Sequence, residues 1–510
     1  MSPSLQASCA ASSFPTPTLF GAEIYSLDAT WTKNYNYEID QGRYASSHAF
    51  DVQGLNFCNV SIWYTHPGYD DHVNVQVLLP EKWNGRFQGT GGGGFVVGLS
   101  EPAMIGGMAQ GYAVASSDGG HKTTVTGDWV LKSPGNINWP NVLNFGSVSL
   151  YDFTTIGKQV TEAYYGKPPE YSYFTGCSTG GRQALALAQR WPELYDGILS
   201  GAPGINYAEL VTWISYPQLT MNWFGEYPQF CETAAITQAA IEACDHLDGA
   251  VDGIISNPDD CGFDPRTIVN TTIFCEESGK DTQISAAAAN VALAAWTGAR
   301  SINGTFLWHG LAKDAPLSGL ANTTCDYQGS GECTGVPYAI AKEWIQYFIY
   351  KDPSFDFNNV THEDYGKIFH MALQQYASPL GTSDPDVRGV KENGGKILMW
   401  HGVADQLVPI NGSRQYYEIA KAIDPNITDY FRYFEAPGVN HCRGGVGPYP
   451  GDILARLVDW VEKDLVPETM AAKSLPNEKG ASIERGLCPY PMVQKYKGGD
   501  VTKDSSYECV

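Results

Sequence analysis

The 510-residue sequence lacks several features that would place it in familiar classes of protein. No apolar run approaches the ~18–20 residues that a membrane-spanning helix requires. No two cysteines have CxxC spacing, which disfavours zinc fingers and thioredoxin-like redox motifs. No phosphate-binding loop with a Walker lysine is present. These absences leave a globular protein without an obvious nucleotide, zinc or redox function.

Positive charge is also scarce. The chain has 32 Lys and Arg against 55 Asp and Glu, which gives a net charge of −23. Nucleic acid and anionic membrane surfaces are therefore disfavoured as partners, because long-range repulsion would oppose each encounter. Hydrophobic residues make up 43% of the chain, with 13 Trp and 30 Tyr, so a disordered chain is excluded and a large core is expected. The sequence gives no indication of the oligomeric state.

Cysteines and glycosylation motifs indicate the compartment. Twelve cysteines spread over the whole chain fit six disulfides formed in an oxidising compartment. N-glycosylation sequons begin at Asn59, Asn270, Asn303, Asn322, Asn359, Asn411 and Asn426. The N-terminus, Met1-Ser2-Pro3-Ser4, lacks the features of a signal peptide, and we interpret it as a mature start with an added Met. We expect a secreted, extracellular glycoprotein; the alternative is a cytosolic protein with free thiols.

Strands and helices alternate over much of the chain. The patterns predict strands at 73–79, 86–89, 111–117, 171–176, 196–201, 396–401 and 429–435, and helices at 151–165, 180–190, 413–423 and 452–464. This order is typical of an α/β protein with a mostly parallel sheet covered on both faces. The stretch 205–385 departs from it and holds six cysteines. We predict an inserted lid domain at 205–385 and a catalytic domain formed by 1–204 and 386–510.

Residues 176–180 read Gly-Cys-Ser-Thr-Gly and match the G-x-S-x-G pattern around Ser178. A strand is predicted before this motif and a helix after it, as in the nucleophile elbow of the α/β-hydrolase fold. Small neighbours allow the tight turn, and the helix N-terminus directs N–H groups at the reacting centre. The alternative is a phosphate-binding or structural glycine turn. We predict an α/β-hydrolase fold with Ser178 as the nucleophile.

A serine hydroxyl needs a base, and in this fold the acid and the histidine follow the serine in that order. Asp405 lies just beyond the strand predicted at 396–401, and His441 lies in the loop after the last predicted strand. His441 would act as base and then acid, while Asp405 would orient its ring and stabilise the imidazolium. His121 and His401 are rival bases. His121 precedes the serine and His401 lies too close to the acid, so His441 is preferred.

An oxyanion hole requires two backbone N–H groups aimed at the developing negative charge. The residue after the nucleophile, Thr179, would supply the first. The glycine run 91–94 lets the backbone approach a substrate closely, and we choose Gly93 as the second donor. The alternative is that the glycines form only a flexible turn.

Cys177 precedes the serine and Cys442 follows the histidine, and this arrangement resembles the tannase and feruloyl esterase family of secreted serine esterases. The resemblance spans most of the chain and includes the glycine-rich loop 89–95, GCSTGGRQ at 176–183, CDHLDGAVDGII at 244–255, HGVADQLVP at 401–409 and GVNHC at 438–442. It implies a Cys177–Cys442 disulfide that clamps the nucleophile turn to the histidine loop. Other pairings stay open, although 244–261, 325–333 and 488–509 are near enough for local bridges.

Three carboxylates are concentrated in the segment Asp245-His-Leu-Asp-Gly-Ala-Val-Asp-Gly-Ile254. From the residues alone, a solvated acidic loop and a metal site both stay open, and all-oxygen ligands would suit calcium. The resemblance implies a structural calcium ion. Its ligands would be the side chains of Asp245, Asp248 and Asp252 and the main-chain carbonyls of Ala250 and Ile254.

The resemblance also implies the reaction and the substrate class. We expect a serine esterase that cleaves feruloyl, p-coumaroyl or caffeoyl esters of plant cell-wall saccharides, or small aromatic esters. A tannase that cleaves galloyl esters is the first alternative. A non-catalytic, calcium-stabilised carbohydrate-binding protein and a peptidase of the same fold are the others. Lid aromatics that could line the acyl pocket, or form the lid core instead, are Trp213, Tyr216, Trp223, Phe224 and Tyr227.

Overall fold

The computed structural model describes residues 5–121, 125–476 and 480–510, so the predicted N-terminal start at 1–4 lies outside the described residues. Within them, nine strands form one sheet in the spatial order β1-β2-β3-β5-β4-β6-β7-β8-β9. The strands are β1 Glu23–Ile39, β2 Phe50–Thr65, β3 Val73–Pro80, β4 Arg86–Thr90, β5 Ala113–Ser117, β6 Tyr171–Cys177, β7 Gly197–Gly201, β8 Lys396–Gly402 and β9 Phe431–Ala436.

The sheet has an antiparallel part and a parallel part. Strands β1, β2, β3 and β5 pair antiparallel, whereas each neighbouring pair from β5 through β4 to β9 is parallel. The predicted α/β-hydrolase fold and all seven predicted strands are confirmed. The sequence did not predict β1 and β2, which are long and, in β1, largely exposed.

Helices cover both faces of this sheet. The longer ones are α1 Glu101–Ala109, α2 Ser149–Tyr165, α3 Thr179–Arg190, α4 Tyr207–Ile214, α5 Tyr216–Phe224, α6 Phe230–Cys244, α7 Ala286–Thr297, α8 His362–Leu380, α9 Ile410–Ile423 and α10 Ile453–Lys463. Short helices occupy Leu5–Ser8, Thr126–Val130, Trp139–Leu143, Ala339–Glu343 and Arg388–Glu392. The four predicted helices correspond to α2, α3, α9 and α10.

Alternate strand residues enter two apolar cores, as the period of two of a strand requires. Phe174 and Met399 lie in the core shared with α2, α3 and α9. Tyr173 and Leu398, their chain neighbours, lie in the core shared with α1 and α10. Because both faces are covered, the parallel strands are buried and the loops at their carboxyl ends are held in fixed positions.

The chain leaves the sheet after β7 and returns at β8. The intervening segment contains α4 to α8 and three two-stranded pairs. Its buried Trp213 and Trp344 belong to the same apolar core as Ile397 of β8. The insert therefore packs directly on the sheet, and the division at 205 and 385 stays a prediction.

The shorter strand pairs lie between β5 and α2, in the insert and near the C-terminus. They are Leu131–Ser133 with Asn136–Ile137, Thr272–Cys275 with Lys280–Gln283, Ala299–Arg300 with Phe306–Trp308, Thr323–Cys325 with Cys333–Gly335, Met470–Lys473 with Glu484–Leu487, and Gln494–Tyr496 with Tyr507–Cys509.

All twelve cysteines are paired in the structure. The bridges are Cys9–Cys58, Cys177–Cys442, Cys231–Cys275, Cys244–Cys261, Cys325–Cys333 and Cys488–Cys509. The three local bridges considered from the sequence are present. The first and third pairs join elements whose proximity the sequence does not reveal.

Candidate active site

Ser178 stands at the sharp turn between β6 and α3. Its backbone has φ 63° and ψ −123°, a region that residues with a side chain seldom occupy. The turn is held on both sides, because the Ser178 N–H donates to the Gly201 carbonyl at 3.0 Å and the Ser178 carbonyl accepts from the Gly204 N–H at 3.0 Å. The strain is thus supported by β7 and the loop that follows it, and the hydroxyl is presented at the carboxyl end of the sheet.

The glycines of the motif are required by close backbone contacts. A Cβ atom on Gly176 would lie 2.5 Å from the carbonyl carbon of Gly180, and a Cβ on Gly180 would lie 2.9 Å from the Gly92 carbonyl oxygen. The Gly180 N–H donates to that same oxygen at 2.9 Å. The glycine-rich loop after β4 therefore packs directly on the first turn of α3.

Asp405 and His441 meet at the ends of β8 and β9. The His441 Nδ1 lies 2.7 Å from Asp405 Oδ2, while Asp405 Oδ1 accepts the N–H groups of Leu407 and Val408 at 2.8 Å each. Burial opposes ionisation of Asp405, but the charge of His441 and hydrogen bonds from two histidines outweigh it and hold its pKa well below the usual range. The carboxylate is ionised and fixed, as an orienting residue must be.

His401 is the second histidine on Asp405. Its Nε2 lies 3.0 Å from Asp405 Oδ2 and 3.1 Å from the Val408 carbonyl oxygen, and its Nδ1 lies 2.8 Å from Ser413 Oγ. Because Nε2 faces two acceptors, it must carry a proton and donate. His401 is completely buried and therefore supports Asp405 instead of meeting a substrate. The sequence presents His401 only as a rival base, and its i,i+4 spacing to Asp405 is the one signal of its supporting role.

His121, the other rival, is also unsuited to act as base. Its ring stacks on Trp129 with centroids 4.2 Å apart, and its Nε2 lies 2.9 Å from the Phe95 carbonyl oxygen. Burial lowers its pKa. The ring is part of an aromatic core beneath the glycine-rich loop.

A disulfide joins the nucleophile turn to the histidine loop. Cys177 and Cys442 are 265 residues apart in the chain, and their Cα atoms are 5.9 Å apart. The histidine loop is held further by the His441 N–H, which donates to Gln406 Oε1 at 2.9 Å, and by the Tyr449 hydroxyl, which donates to the Cys442 carbonyl at 2.8 Å. The two residues flanking the reactive side chains are therefore covalently fixed to each other.

Ser178 and His441 line one cavity of about 550 Å³. Among the described residues, no hydrogen bond joins the Ser178 hydroxyl to the His441 ring. Catalytic hydrogen bonds are commonly long or misaligned in unliganded enzymes and tighten when substrate binds. The ring of His441 is held through Nδ1, so Nε2 is the atom available to the hydroxyl.

The glycine-rich loop lines the same cavity as the serine, and its first N–H groups are used within the protein. The N–H groups of Gly91 and Gly92 donate to the Thr175 carbonyl and to Gln183 Oε1, each at 3.0 Å. Gly93 pairs with Val96 in an isolated antiparallel bridge, and the Thr179 N–H, at the first turn of α3, has no partner inside its helix. Both residues line the cavity. Gly93 and Thr179 thus remain our predicted oxyanion donors.

One wall of the cavity is apolar and comes from the lid. Its residues come from one face of α4 and from the start of the short helix Ala339–Glu343: Tyr207, Leu210, Val211, Ile214, Tyr338 and Ile340. The spacing within α4 is i, i+3, i+4, i+7, which is one helix face. This wall suits a flat aromatic group.

The five lid aromatics proposed from the sequence do not line this cavity. Trp213 and Tyr216 are buried in the core, Trp223 stacks on His362 with centroids 4.2 Å apart, and Phe224 is 56% exposed. The fifth, Tyr227, hydrogen-bonds Asn222 at 3.2 Å. Of the two alternatives that the sequence left open, a place in the core is found for Trp213 and Tyr216, and none of the five lines the cavity. Trp213 lies off the face of α4 that lines the cavity, so its position around the helix axis places it in the core and not in the pocket.

The acidic loop follows α6 and is closed by the Cys244–Cys261 bridge. Asp245 accepts the N–H groups of Asp252, Gly253 and Ile254 at 3.0–3.3 Å. Asp248 accepts the Ala250 N–H at 2.9 Å and the Ser256 hydroxyl. Among the described residues, the ligand atoms of the three carboxylates are not clustered around one point. Each carboxylate instead bonds to a protein group, and that of Asp252 pairs with Arg485.

Two observations nevertheless fit a cation in this loop. Ala250 and Ile254 are 1% and 0% exposed, and no hydrogen bond of the described residues ends on their carbonyl oxygens. Buried carbonyls are normally hydrogen-bonded, so an ion would satisfy both. Burial raises the pKa of Asp248, aided by the charge of Asp252, and a cation would favour its ionised form. The donor set fits calcium, whose role would be structural, and calcium stays a prediction.

The sequons differ in exposure. Asn270, Asn303, Asn322, Asn359 and Asn426 are exposed, whereas Asn59 and Asn411 are half-buried. The amide oxygen of Asn59 is buried without a partner among the described residues. The first five are the better glycosylation candidates. Separately, no helix within the described ranges combines the length and apolarity needed to span a bilayer.

Comparisons with known proteins identify the family of this chain. The family model for tannase and feruloyl esterase matches residues 58–510. The chain belongs to this family. It is 39% identical to "Probable feruloyl esterase" from Arthroderma benhamiae, over 98% of this chain and 93% of the relative.

Two solved structures superpose on this chain over almost its whole length. The tannin acyl hydrolase from Aspergillus niger superposes with a TM-score of 0.89 at 26% identity, covering 100% of this chain and 96% of that chain. Feruloyl esterase B from Aspergillus oryzae superposes with a TM-score of 0.82 at 24% identity, covering 99% of this chain and 100% of that chain, which shows the shared fold. Because it belongs to the tannase and feruloyl esterase family, the chain is a carboxylic-ester hydrolase, and the non-catalytic and peptidase alternatives are set aside.

Proposed function

We propose that the protein is a secreted feruloyl esterase that hydrolyses hydroxycinnamoyl esters of plant cell-wall saccharides through an acyl-enzyme. The observation that carries the proposal is the convergence of Ser178 and the His441–Asp405 pair on one cavity with an apolar wall. Family membership and the feruloyl esterase relative support the choice of acyl group. Secretion is supported by six disulfides and by the exposed sequons.

In the first half-reaction, His441 Nε2 takes the proton of the Ser178 hydroxyl as its oxygen attacks the ester carbonyl carbon. The carbonyl oxygen becomes negatively charged and is stabilised by the N–H groups of Thr179 and Gly93. The tetrahedral intermediate collapses, the bond to the alcohol oxygen breaks, and the alcohol leaves with the proton from His441. Asp405 stabilises the imidazolium through Nδ1.

In the second half-reaction, water enters where the alcohol was bound. His441 takes a proton from this water as its oxygen attacks the acyl carbon, and the Ser178 oxygen leaves with the proton returned by the imidazolium. The products are the free hydroxycinnamic acid and the restored serine. The aromatic ring would lie against Leu210, Val211 and Ile214 during both steps.

Galloyl esters are the second candidate substrate, because the A. niger tannin acyl hydrolase superposes over the whole chain. A gallate ring is joined directly to its carbonyl, whereas a hydroxycinnamate has a two-carbon spacer and needs a deeper pocket. The α4 face from Tyr207 to Ile214 runs about 10 Å at the rise of an α-helix, which is long enough for a ring with its two-carbon spacer and supports the longer acyl group.

Hydrolysis rates on methyl ferulate, methyl caffeate, methyl gallate and tannic acid test the proposal. We expect the hydroxycinnamates to be preferred over the gallates and the Ser178→Ala variant to lose about 10⁴-fold or more on every ester. A matched control, Ser354→Ala, removes an exposed hydroxyl far from the motif in sequence. Preference for gallates would instead indicate a tannase, and unchanged rates in Ser178→Ala would refute the mechanism.

A further inference from the structure

Unpaired arginines are rare in this acidic protein. It has twelve arginines, and in the described residues nine of them use the guanidinium in hydrogen bonds or ion pairs: Arg86, Arg182, Arg190, Arg266, Arg300, Arg388, Arg414, Arg432 and Arg485. The other three, Arg43, Arg443 and Arg456, have no such partner within that part of the chain. Two of these three, Arg43 and Arg443, line the catalytic cavity.

The cavity is also free of acidic residues. None of its described lining residues is Asp or Glu, although the chain has 55 of them and a net charge of −23. Asp405 lies behind His441 and is completely buried, with both oxygens hydrogen-bonded. Two unpaired cations in a cavity without carboxylates give a local positive potential inside a molecule that otherwise repels anions.

The two arginines and the apolar wall come from different elements: Arg43 lies in the loop between β1 and β2, Arg443 lies in the loop after β9, and the wall comes from the lid. A Cβ on Gly42 would lie 2.7 Å from the Arg443 Cβ, so the loop carrying Arg43 contacts the segment after Cys442. On the lid side, a Cβ on Gly94 would lie 3.0 Å from Ile340 Cδ1. The cavity is therefore lined by cationic side chains from the loops after β1 and β9 and by apolar side chains from the lid. With the aromatic acyl group against the lid, we place the alcohol half of the ester beside the two arginines.

We propose that Arg43 and Arg443 form a carboxylate-binding subsite that selects esters whose alcohol half carries a negative charge. This inference rests on the proposed function, since it takes the acyl half to be aromatic. Guanidinium groups bind carboxylates in planar, often bidentate pairs. Two kinds of alcohol have this chemistry: a uronate residue of an acidic cell-wall oligosaccharide, and a small hydroxylated ring acid such as quinate. Ser100 lines the same cavity and offers a hydroxyl group to a remaining oxygen.

The test compares each anionic ester with its own neutral form. One arm uses a hydroxycinnamoyl quinate and its methyl ester; the other uses a feruloylated oligogalacturonide before and after methyl esterification. Release of the hydroxycinnamic acid is measured, and the readout is the ratio of kcat/KM for the free carboxylate over the methyl ester. We expect a ratio of about ten or more, and a loss of about tenfold on removing either arginine, since charge-assisted hydrogen bonds are of this strength.

The variants are Arg43→Gln, Arg443→Gln and the double variant, with Arg456→Gln as the matched unpaired arginine outside the cavity. The ratio should fall toward one in the double variant, stay at the wild-type value in Arg456→Gln, and decrease with added salt. A preference in only one arm identifies which anionic alcohol is bound. Hydrolysis with a wild-type ratio near one, or a ratio unaffected by the double variant, would overturn the subsite, whereas no hydrolysis of any hydroxycinnamate would overturn the proposed function itself.

Discussion

Two buried clusters of histidine and aspartate in this protein show how similar residues reach different chemistry. In the site, His441 is bound to Asp405, and its side chain is 10% exposed. In the antiparallel part of the sheet, His66 lies 2.7 Å from Asp71 and 3.4 Å from Asp152, with its side chain 12% exposed. Residue types and burial are almost the same, so neither can be what separates a base from a structural ion pair.

The difference is what the second ring nitrogen faces. His441 uses Nδ1 for the carboxylate and keeps Nε2 for the cavity, whereas both ring nitrogens of His66 face carboxylates. Hydrogen bonds to Asp152 and Asp71 raise the pKa of His66 to about 9. At neutral pH the His66 ring is therefore protonated and bound to both carboxylates, and it has no lone pair with which to accept a proton. A histidine becomes a base only where one nitrogen is left to the substrate.

The largest expected effect comes from exchanging each histidine for glutamine. His441→Gln should lower kcat/KM on methyl ferulate by about 10⁴-fold, because the base is lost, with little change in melting temperature. His66→Gln should keep activity within about threefold and lower the melting temperature. Loss of activity in the folded His66→Gln variant, with activity retained in His441→Gln, would reverse the assignment.

The disulfide beside His441 has no counterpart at His66, and removing it tests whether the clamp serves catalysis. We expect Cys177→Ala with Cys442→Ala to lower kcat by about 10²-fold, since a displacement near 1 Å at the reacting atoms costs this much, while the fold stays assembled. Cys325→Ala with Cys333→Ala removes a bridge in the lid and is the matched control. Full activity in the first double variant, shown by mass to lack the bridge, would refute the catalytic role.

Sequence alone was enough for the parts of the site that depend on local motifs. The turn at Ser178 needs glycines close by in the chain, and Asp405 and His441 each follow a recognisable strand. His401 was set aside as a base, but its supporting role was missed because its partners, Ser413 and the Val408 carbonyl, come close only when the β8–α9 loop folds back over its ring. A pattern of residues does not show which nitrogen of a ring is occupied.

Features that depend on contacts between distant parts of the chain were also missed, because a local residue pattern does not show which segments pack together. The lid aromatics were proposed from composition, but the face of α4 that meets the cavity depends on how the insert docks on the sheet. Strands β1 and β2 escaped notice because β1 is an edge strand whose polar residues give a weak alternating pattern. The pair Arg43 and Arg443 comes together only through the contact between their loops.

The pH dependence of stability distinguishes the two clusters further. The raised pKa of His66 stabilises the fold fully below about pH 6.5, and this contribution is lost as the pH rises through 9. Burial opposes ionisation of Asp71, but hydrogen bonds from His66 outweigh it and lower its pKa, so its contribution is present above about pH 4 and lost in acid. Allowing for solvent screening, we expect about 1–2 kcal/mol from the histidine.

Urea unfolding at pH 6 and pH 9 measures this contribution. Wild type should lose about 1–2 kcal/mol more between these pH values than His66→Gln does. His370→Gln changes an exposed histidine and should lose as much unfolding free energy between pH 6 and pH 9 as wild type does. Equal losses in wild type and His66→Gln would show that the cluster does not hold a proton more tightly in the folded state.

The smallest expected effect concerns the acidic loop, where carboxylates have no histidine to balance them. If calcium bridges Asp245, Asp248 and Asp252, chelation should lower the melting temperature by roughly 2 °C for each kcal/mol of binding energy lost. Asp248→Asn should show a lower melting temperature that chelator no longer changes, whereas Asp281→Asn, at an exposed lid position, should respond like wild type. The opposing outcome is an unchanged melting curve in protein that metal analysis shows to be calcium-free. It would mean that backbone N–H groups, Ser256 and Arg485, which pairs with Asp252, balance these carboxylates without an ion.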